Sequence, residues 1–129
     1  LSSTPTGIKW TSEYRQISLV TNLANAGDTG TINQTLVGVG YSGTIVGWYI
    51  TCHPAATLAV DVWKANGAVP TVANTITAAA KPSITAARLN SSLTPTGWTT
   101  AVSAGDYFMM NVDSNNLATY INLQLLISI

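Results

Sequence analysis

An alternation of apolar and polar residues with a period of two constrains the fold of this chain more than any other feature. In Thr57–Lys64, the side chains of Leu58, Val60 and Val62 fall on one side of the segment, and the residues between them fall on the other. The C-terminal segment Thr119–Ile129 alternates in the same way. Successive side chains of a β-strand point to opposite faces, so both segments are predicted to be strands with one buried face.

Four further segments read as strands, and Gly, Pro, Asn and Asp separate them. A break is predicted at Pro54–Ala56, and the region Thr71–Leu93 is predicted to be a long excursion with short elements. Within that region Thr75–Thr77 is a candidate short strand, and Ser83–Leu89 has the local propensity of a two-turn helix. The four segments are Tyr14–Leu23, Gly43–His53, Trp98–Ser103 and Asp106–Asp113.

Six to eight short strands at regular spacing predict an all-β fold, an antiparallel β-sandwich in one domain. The preferred topology is a jelly-roll. Residues 14–129 form the predicted sandwich, and residues 1–13 are a polar lead-in or linker. A chain of 129 residues suits one domain that buries enough surface to fold without a disulfide or a metal.

The charge content is low and balanced. Five basic and five acidic residues make up 8% of the chain, whereas about a quarter of a typical domain is charged. The surface therefore lacks the basic field that gathers nucleic acid and the cationic face that binds acidic membranes. No stretch is long and apolar enough to span a bilayer. Since few charges keep copies apart, a homo-oligomer or a protein-bound setting is predicted.

Two short motifs suggest chemistry that their context excludes. The glycines of Gly38–Gly43 have the spacing of a dinucleotide-binding fingerprint, but a strand follows them where the fingerprint needs a helix. They are predicted to form a glycine-rich turn or bulge. Cys52 and His53 are adjacent, so on a strand their side chains point to opposite faces and cannot act as a nucleophile and its base.

The acidic residues show no spacing that would place two carboxylates on one substrate, as general acid–base catalysis requires. The chain is therefore predicted not to be an enzyme, with no cofactor and no metal site. Asp61 has two interpretations: a ligand contact, or an outward residue paired with Lys64 or with a cross-strand partner. The second is preferred. The acids are Glu13, Asp28, Asp61, Asp106 and Asp113.

Ligand contacts concentrate on loops held by a rigid scaffold, so two turns are the candidate binding positions. One is Ala65–Pro70, with Asn66 and Gly67 as its candidate contacts. The other contributes Asp113, Asn115 and Asn116. Exposed Trp and Tyr side chains would stack on sugar rings, and buried ones would fill the core or a subunit interface. The sequence leaves these alternatives open.

An ordered series of short motifs runs from the DVWK segment to the NVDS segment. Together these motifs resemble a C-terminal domain found in tail fibres and minor structural proteins of tailed bacteriophages, over about Thr44 to the C-terminus. The series comprises Asp61–Lys64, Val69–Thr77, Lys81–Ser83, Leu93–Thr100, Ser103–Asp106 and Asn111–Ser114.

The resemblance implies a β-sandwich carried on a virion, often as a trimer at a fibre tip, with no catalytic residues to map. The expected partners are other virion proteins and a host-surface receptor, expected to be a glycan. The alternative is a capsid decoration or assembly protein whose partner is another virion protein. The chain departs from the family after Lys64, where the short segment ANGAVP replaces a longer loop that contains aromatic residues. That loop is a candidate recognition surface.

Overall fold

Strands dominate the computed structural model, which describes residues 13–31 and 36–129. The predicted lead-in lies outside the described residues except for residue 13. The only helical element of the described ranges is the short 3-10 helix Val72–Asn74. The strands are β1 (Tyr14–Asn22), β2 (Val37–Gly38), β3 (Gly43–Asn66), β4 (Ser83–Ser92), β5 (Ala101–Val102), β6 (Asp106–Asn115) and β7 (Tyr120–Ser128).

All strand pairs are antiparallel, in the order β1-β7-β3-β6-β2, and β4 and β5 also pair with β3. The sheet is nearly closed in a barrel-like shape, which is consistent with a single β domain. The predicted all-β, antiparallel fold is confirmed. Jelly-roll topology stays a prediction.

The strand β3 organises the sheet because it pairs along both of its edges. Its first half lies between β7 and the end of β4. Its second half pairs with β6 along one edge, and the other edge meets the start of β4 at Leu58 and Ala59 and then the segment around Thr75. A straight strand of 24 residues would be about 80 Å long. A domain of this length has a radius of gyration of only about 14 Å. The strand must therefore bend, and its pairing register shifts near Gly47, Ala56 and Val60.

The predicted break at Pro54–Ala56 is wrong, because β3 continues through these residues. Proline lacks the N–H that a strand ladder needs, so it is tolerated where the ladder is already interrupted. Pro54 lies in such a place: the register between β3 and β4 shifts between Thr51 and Ala56. The two predicted strands Gly43–His53 and Thr57–Lys64 are thus one bent strand.

The core is built from the faces that the alternation predicted. Leu58, Val60 and Val62 of β3 are at most 2% exposed. The predicted face of β7 and the alternating apolar residues of β6 are buried with them, and only Ile129, beyond the end of β7, is partly exposed. Trp48 and Trp98 also belong to the core, with parallel rings whose centroids are 6.5 Å apart. These faces are Phe108, Met110 and Val112 of β6, and Ile121, Leu123, Leu125 and Ile127 of β7.

The helical propensity of Ser83–Leu89 is overridden, because this segment forms the first part of β4. Ile84 is buried, and the backbone pairs with β3, so tertiary contacts outweigh local preference. The strand bends sharply at Ala86, which has a positive φ of 46°. As a result, the Asn90 side chain donates to the Ser83 carbonyl at 2.8 Å, although seven residues of straight strand would span about 23 Å. The Oδ1 atom of Asn90 also accepts from the Ser91 N–H at 2.9 Å.

Truncation of Leu123 tests the core. Leu123 is 0% exposed, whereas Leu89, also on a strand, is 70% exposed. We expect Leu123→Ala to lower the free energy of unfolding by about 2–5 kcal/mol, because it leaves a cavity. Leu89→Ala is the matched control and should change it by no more than about 0.5 kcal/mol. Urea denaturation measures both values, and equal effects of the two variants would contradict the described burial.

Candidate functional site

The predicted contact residues lie in two separate places. Asn66 pairs with Asp106 at the start of β6, and Asn115 is the last residue of the same strand. Nine residue steps of β-strand separate the two ends of β6, a distance of roughly 30 Å. The two turns therefore do not form one binding site.

At the far end of β6, the predicted contacts are engaged in hydrogen bonds that shape the turn. The Asn115 amide donates to the carbonyls of Asp28 and Ala118, at 3.0 and 2.9 Å. Asn116 Oδ1 accepts from the Thr57 N–H at 2.8 Å. Asp113 forms an exposed ion pair with Lys81 at 2.6 Å. These contacts give the residues a structural role, and their role in binding stays a prediction.

At the near end, Asp106 ties the end of β3 to the turn before β6. Its carboxylate accepts from the Ser103 N–H at 2.8 Å and from the Asn66 amide at 3.1 Å, and Lys64 Nζ lies 3.5 Å away. Burial raises the pKa of Asp106, but these hydrogen bonds and the Lys64 charge outweigh it, so the pKa is lowered. Gly67 has a φ of +67° and donates to the Gly105 carbonyl at 2.9 Å.

An open cleft of about 250 Å³ lies beside this turn, lined by Leu36, the segment 67–69 and Tyr107. Tyr107 is 38% exposed and provides an aromatic wall. Its ring packs over Gly38, where an added Cβ would lie 2.8 Å from Tyr107 Cε2. No lining residue is charged. The cleft is therefore apolar and aromatic, and we call it the Tyr107 cleft.

A second open cleft of about 350 Å³ is lined by Ile45, Val46, the segment 93–96 and Thr100. It has threonine hydroxyls but no aromatic side chain and no charge in its lining. It also contains none of the predicted contact residues. The Tyr107 cleft, which includes the predicted contact Gly67, is the stronger candidate for a binding site.

Asp61 points away from the core face of β3, but it is covered rather than exposed, unlike the outward residue that the preferred interpretation expected. It is 4% exposed, and its carboxylate accepts from Thr75 Oγ1, from Thr77 Oγ1 at 2.8 Å and from Trp63 Nε1 at 2.9 Å. Lys64, its expected partner, pairs with Asp106 instead. The reason is that the segment after the turn returns along β3, where Ile76 donates to the Val62 carbonyl at 2.9 Å.

We call Asp61, Trp63, Thr75 and Thr77 the Asp61 cluster. Burial by itself raises the pKa of Asp61. The three hydrogen bonds and the charge of Lys81 lower it by more, so the pKa lies below its ordinary value. The threonine spacing was the missed signal: residues two apart on an extended segment face the same side, so both hydroxyls reach one acceptor. The cluster anchors the excursion between β3 and β4.

The Cys52–His53 pair and the glycine-rich segment lie as their sequence context predicted. Cys52 is buried and His53 is exposed, on opposite faces of β3. Burial raises the pKa of the Cys52 thiol, which disfavours the reactive thiolate. The glycine-rich segment leads into β3 at Gly43 without a helix. Across residues 13–31 and 36–129, no group of three or more His, Cys, Asp or Glu is placed to hold a metal.

Five of the Trp and Tyr side chains, which the sequence left unsorted, are either clearly buried or clearly exposed. Trp48 and Trp98 are in the core, and Trp98 Nε1 donates to the Ala80 carbonyl at 2.7 Å. Tyr14, Tyr49 and Tyr107 are each more than a third exposed. Among these five residues, only the three exposed tyrosines are therefore accessible to a ligand or a partner. No helix in the described ranges is long and apolar enough to cross a membrane.

No protein-family model matches the chain, and comparisons with curated proteins and with solved structures found no match. The resemblance to phage tail-fibre domains therefore rests on the motif series alone and stays a prediction.

Asp61→Asn tests the Asp61 cluster. The Asp61 carboxylate accepts from three donors, whereas the amide nitrogen of asparagine is itself a donor and cannot accept. We therefore expect the variant to lose about 1–3 kcal/mol of unfolding free energy at neutral pH. Because the folded-state pKa is lowered, the stability from ionised Asp61 is present above its unfolded pKa of about 3.9 and is lost as pH falls through the folded-state value. The variant should therefore lose less stability than the wild type on acidification.

Urea denaturation at a series of pH values from neutral to about 2 measures this difference. Asp106 titrates in both proteins, so the difference between the two curves isolates Asp61. Glu13→Gln is the control, because Glu13 forms only an exposed pair with Arg15. It should leave the curve close to that of the wild type. Parallel curves for Asp61→Asn and the wild type would show that the carboxylate is not held in its ionised form.

Proposed function

We propose that this chain is a bacteriophage virion domain, tail-fibre or tail-associated, that binds a host-surface glycan through the Tyr107 cleft. The motif series supports the phage assignment, and the antiparallel β fold agrees with it. The observation that carries the binding proposal is the half-exposed Tyr107 ring in an uncharged, open cleft beside a predicted contact turn. Sugar rings have apolar C–H faces, and a tyrosine ring with a polar hydroxyl suits them.

The volume and the lining of the cleft restrict the class of ligand that it can bind. Its volume of about 250 Å³ is below the range of about 300–1,000 Å³ that is common for drug-sized ligands. It therefore suits one sugar ring of a longer chain rather than a whole oligosaccharide. Since Leu36, Val69 and Tyr107 are all uncharged, a neutral sugar is favoured over an acidic one. Such a site binds weakly by itself, and several copies on one virion would raise the overall affinity.

The positions of the acids support a binding rather than a hydrolytic role. Glycosidases place two carboxyl groups about 5–10 Å apart on either side of one sugar bond. Asp61 pairs with Asn111 and Asp106 lies five residues earlier on β6, so the two side chains project from opposite faces of the sheet. They cannot share a substrate. Each is also committed to structural hydrogen bonds.

The alternative is a decoration or assembly domain bound to another virion protein. The low charge of the chain favours it, because the core of a protein interface is depleted of charged residues. Adsorption of the purified chain to host cells, with competition against phage, supports receptor binding. Tight binding to capsids without adsorption to cells supports decoration.

Tyr107→Ala tests the Tyr107 cleft. We expect it to weaken binding to neutral bacterial surface glycans by at least about tenfold, because it removes the aromatic wall. Gly38→Ala should weaken binding as well, because its Cβ displaces the Tyr107 ring. Tyr14→Ala is the control, since Tyr14 is exposed on β1 and does not line the cleft. Glycan-array binding measures all three, and unchanged binding of Tyr107→Ala would exclude this cleft as the receptor site.

Incubation with host polysaccharide tests the non-enzymatic assignment. We expect no release of reducing sugar above a protein-free control. If release is observed and disappears in Asp61→Asn or Asp106→Asn, the chain is a glycan hydrolase, and the binding proposal fails. Circular dichroism shows whether each variant remains folded.

A further inference from the structure

The sequence contains one Asn–Gly step, and it lies at the edge of the Tyr107 cleft. Asn66 is the last residue of β3, and Gly67 begins the segment 67–69 that lines the cleft. Asparagine followed by glycine is prone to a spontaneous backbone reaction, because glycine has no Cβ to keep its nitrogen away from the preceding side chain. The turn is therefore also a candidate modification site.

The reaction forms one amide bond, breaks another and then consumes water. The backbone nitrogen of Gly67 attacks Cγ of Asn66, and the new N–C bond closes a succinimide ring. Nδ2 leaves as ammonia with the proton that the Gly67 nitrogen gives up. Water then opens the ring: attack at Cγ leaves an aspartate, and attack at the backbone carbonyl carbon leaves an isoaspartate, whose main chain runs through Cβ and Cγ.

The fold restrains both of the reacting groups. The nucleophile is the Gly67 nitrogen, and its N–H donates to the Gly105 carbonyl at 2.9 Å. The electrophile is the side-chain amide of Asn66, whose Nδ2 donates to Asp106 Oδ1 at 3.1 Å and to the Ala104 carbonyl at 3.3 Å. The amide must leave these partners, and the N–H must lose its acceptor, before the two groups can react.

Asp106 is suited to this restraint because it stays ionised. It is 3% exposed, and burial raises its pKa, but the hydrogen bonds from Ser103 and Asn66 and the charge of Lys64 lower the pKa by more. An ionised carboxylate accepts hydrogen bonds and donates none. It therefore holds the Asn66 amide strongly and supplies no proton to the departing ammonia.

The products do not fit the place that Asn66 occupies. An aspartate at this position puts a second carboxylate where the amide donated to Asp106, so a donor is lost and two negative charges face each other. An isoaspartate lengthens the main chain before Gly67 and displaces its N–H from the Gly105 carbonyl. Either product disfavours closure of the segment 67–69 onto the turn before β6.

We propose that Asn66 is a spontaneous modification site that the fold protects, and that its deamidation irreversibly releases the segment 67–69 from the turn before β6. The reaction proceeds from a local opening of the contact between Asn66 and Asp106, not from global unfolding. The proposal rests on the chemistry of the Asn–Gly step and on these contacts. It does not depend on what the Tyr107 cleft binds.

Timed incubation of the chain in mildly alkaline buffer, followed by peptide mapping with mass spectrometry, measures the rate of conversion at Asn66. We expect the folded chain to react at least about tenfold more slowly than the same chain unfolded in urea, because only the opened fraction reacts. Asp106→Ala removes one acceptor of the Asn66 amide. This variant, while folded, should react at least about threefold faster than the folded wild type.

Leu123→Ala is the matched control for stability. It weakens the core without touching the turn, so it lowers the free energy of global unfolding alone. Under conditions in which it remains folded, it should react at the wild-type rate, because the local opening is unchanged. Circular dichroism shows that each variant remains folded during the incubation.

Asn66→Asp reproduces the aspartate product. Hydrogen exchange of the Gly67 N–H should be at least about tenfold faster in this variant than in the wild type, while the Leu123 N–H exchanges at an unchanged rate. Asn111→Asp is the matched control: Asn111 donates to Asp113, so the change also sets two carboxylates side by side, but outside the cleft. It should leave the exchange of the Gly67 N–H unchanged.

Four results would overturn the proposal. Two concern protection: equal rates of modification in the folded and the unfolded chain, or an Asn66 that stays intact in urea. The third is an acceleration by Leu123→Ala as large as that by Asp106→Ala, because the opening would then be global. The fourth is equal exchange of the Gly67 N–H in Asn66→Asp and the wild type, because the modified chain would then close again.

Discussion

The pairing of β3 along both edges is the constraint on which the other elements depend. Along one edge, the first half of this strand pairs with β7 and the second half pairs with β6. Along the other edge, parts of both halves pair with β4. Because its inward residues are almost completely buried, a change of register by one residue would move Leu58, Val60 and Val62 to the outer face. The bulges at which β3 bends therefore bring the two halves of the sheet around one core.

The Asp61 cluster extends this organisation to a segment with little regular structure. The excursion between β3 and β4 contains only one short helix, and it is held by hydrogen bonds to a buried carboxylate. A charged group inside a protein is tolerated when several donors satisfy it, and here three side chains do so. The cluster is thus a polar anchor on the outer side of the strand whose inner side is the hydrophobic core.

The period of two was sufficient to predict the strands β1, β6 and β7 and the buried faces of β7 and of the second half of β3, because alternate residues of these segments are buried in the core. It was not sufficient at Pro54, since the position of a bulge depends on the partner strand. It also failed at Ser83–Leu89, where pairing with β3 decides the conformation. The burial of Asp61 was missed because it depends on Thr75 and Thr77, 14 and 16 residues away. The Tyr107 cleft combines residues from three separate segments, which no local pattern reveals.

The bend of β4 at Ala86 has a consequence for how copies of this chain accumulate. An outer strand of a sheet offers unpaired backbone groups, and chains with few charges are prone to add strand to strand until fibrils form. Here the Asn90 amide occupies the Ser83 carbonyl and the Ser91 N–H, and the bend removes the straight template that a neighbouring strand needs. Addition of a neighbouring strand at the β4 edge is therefore discouraged.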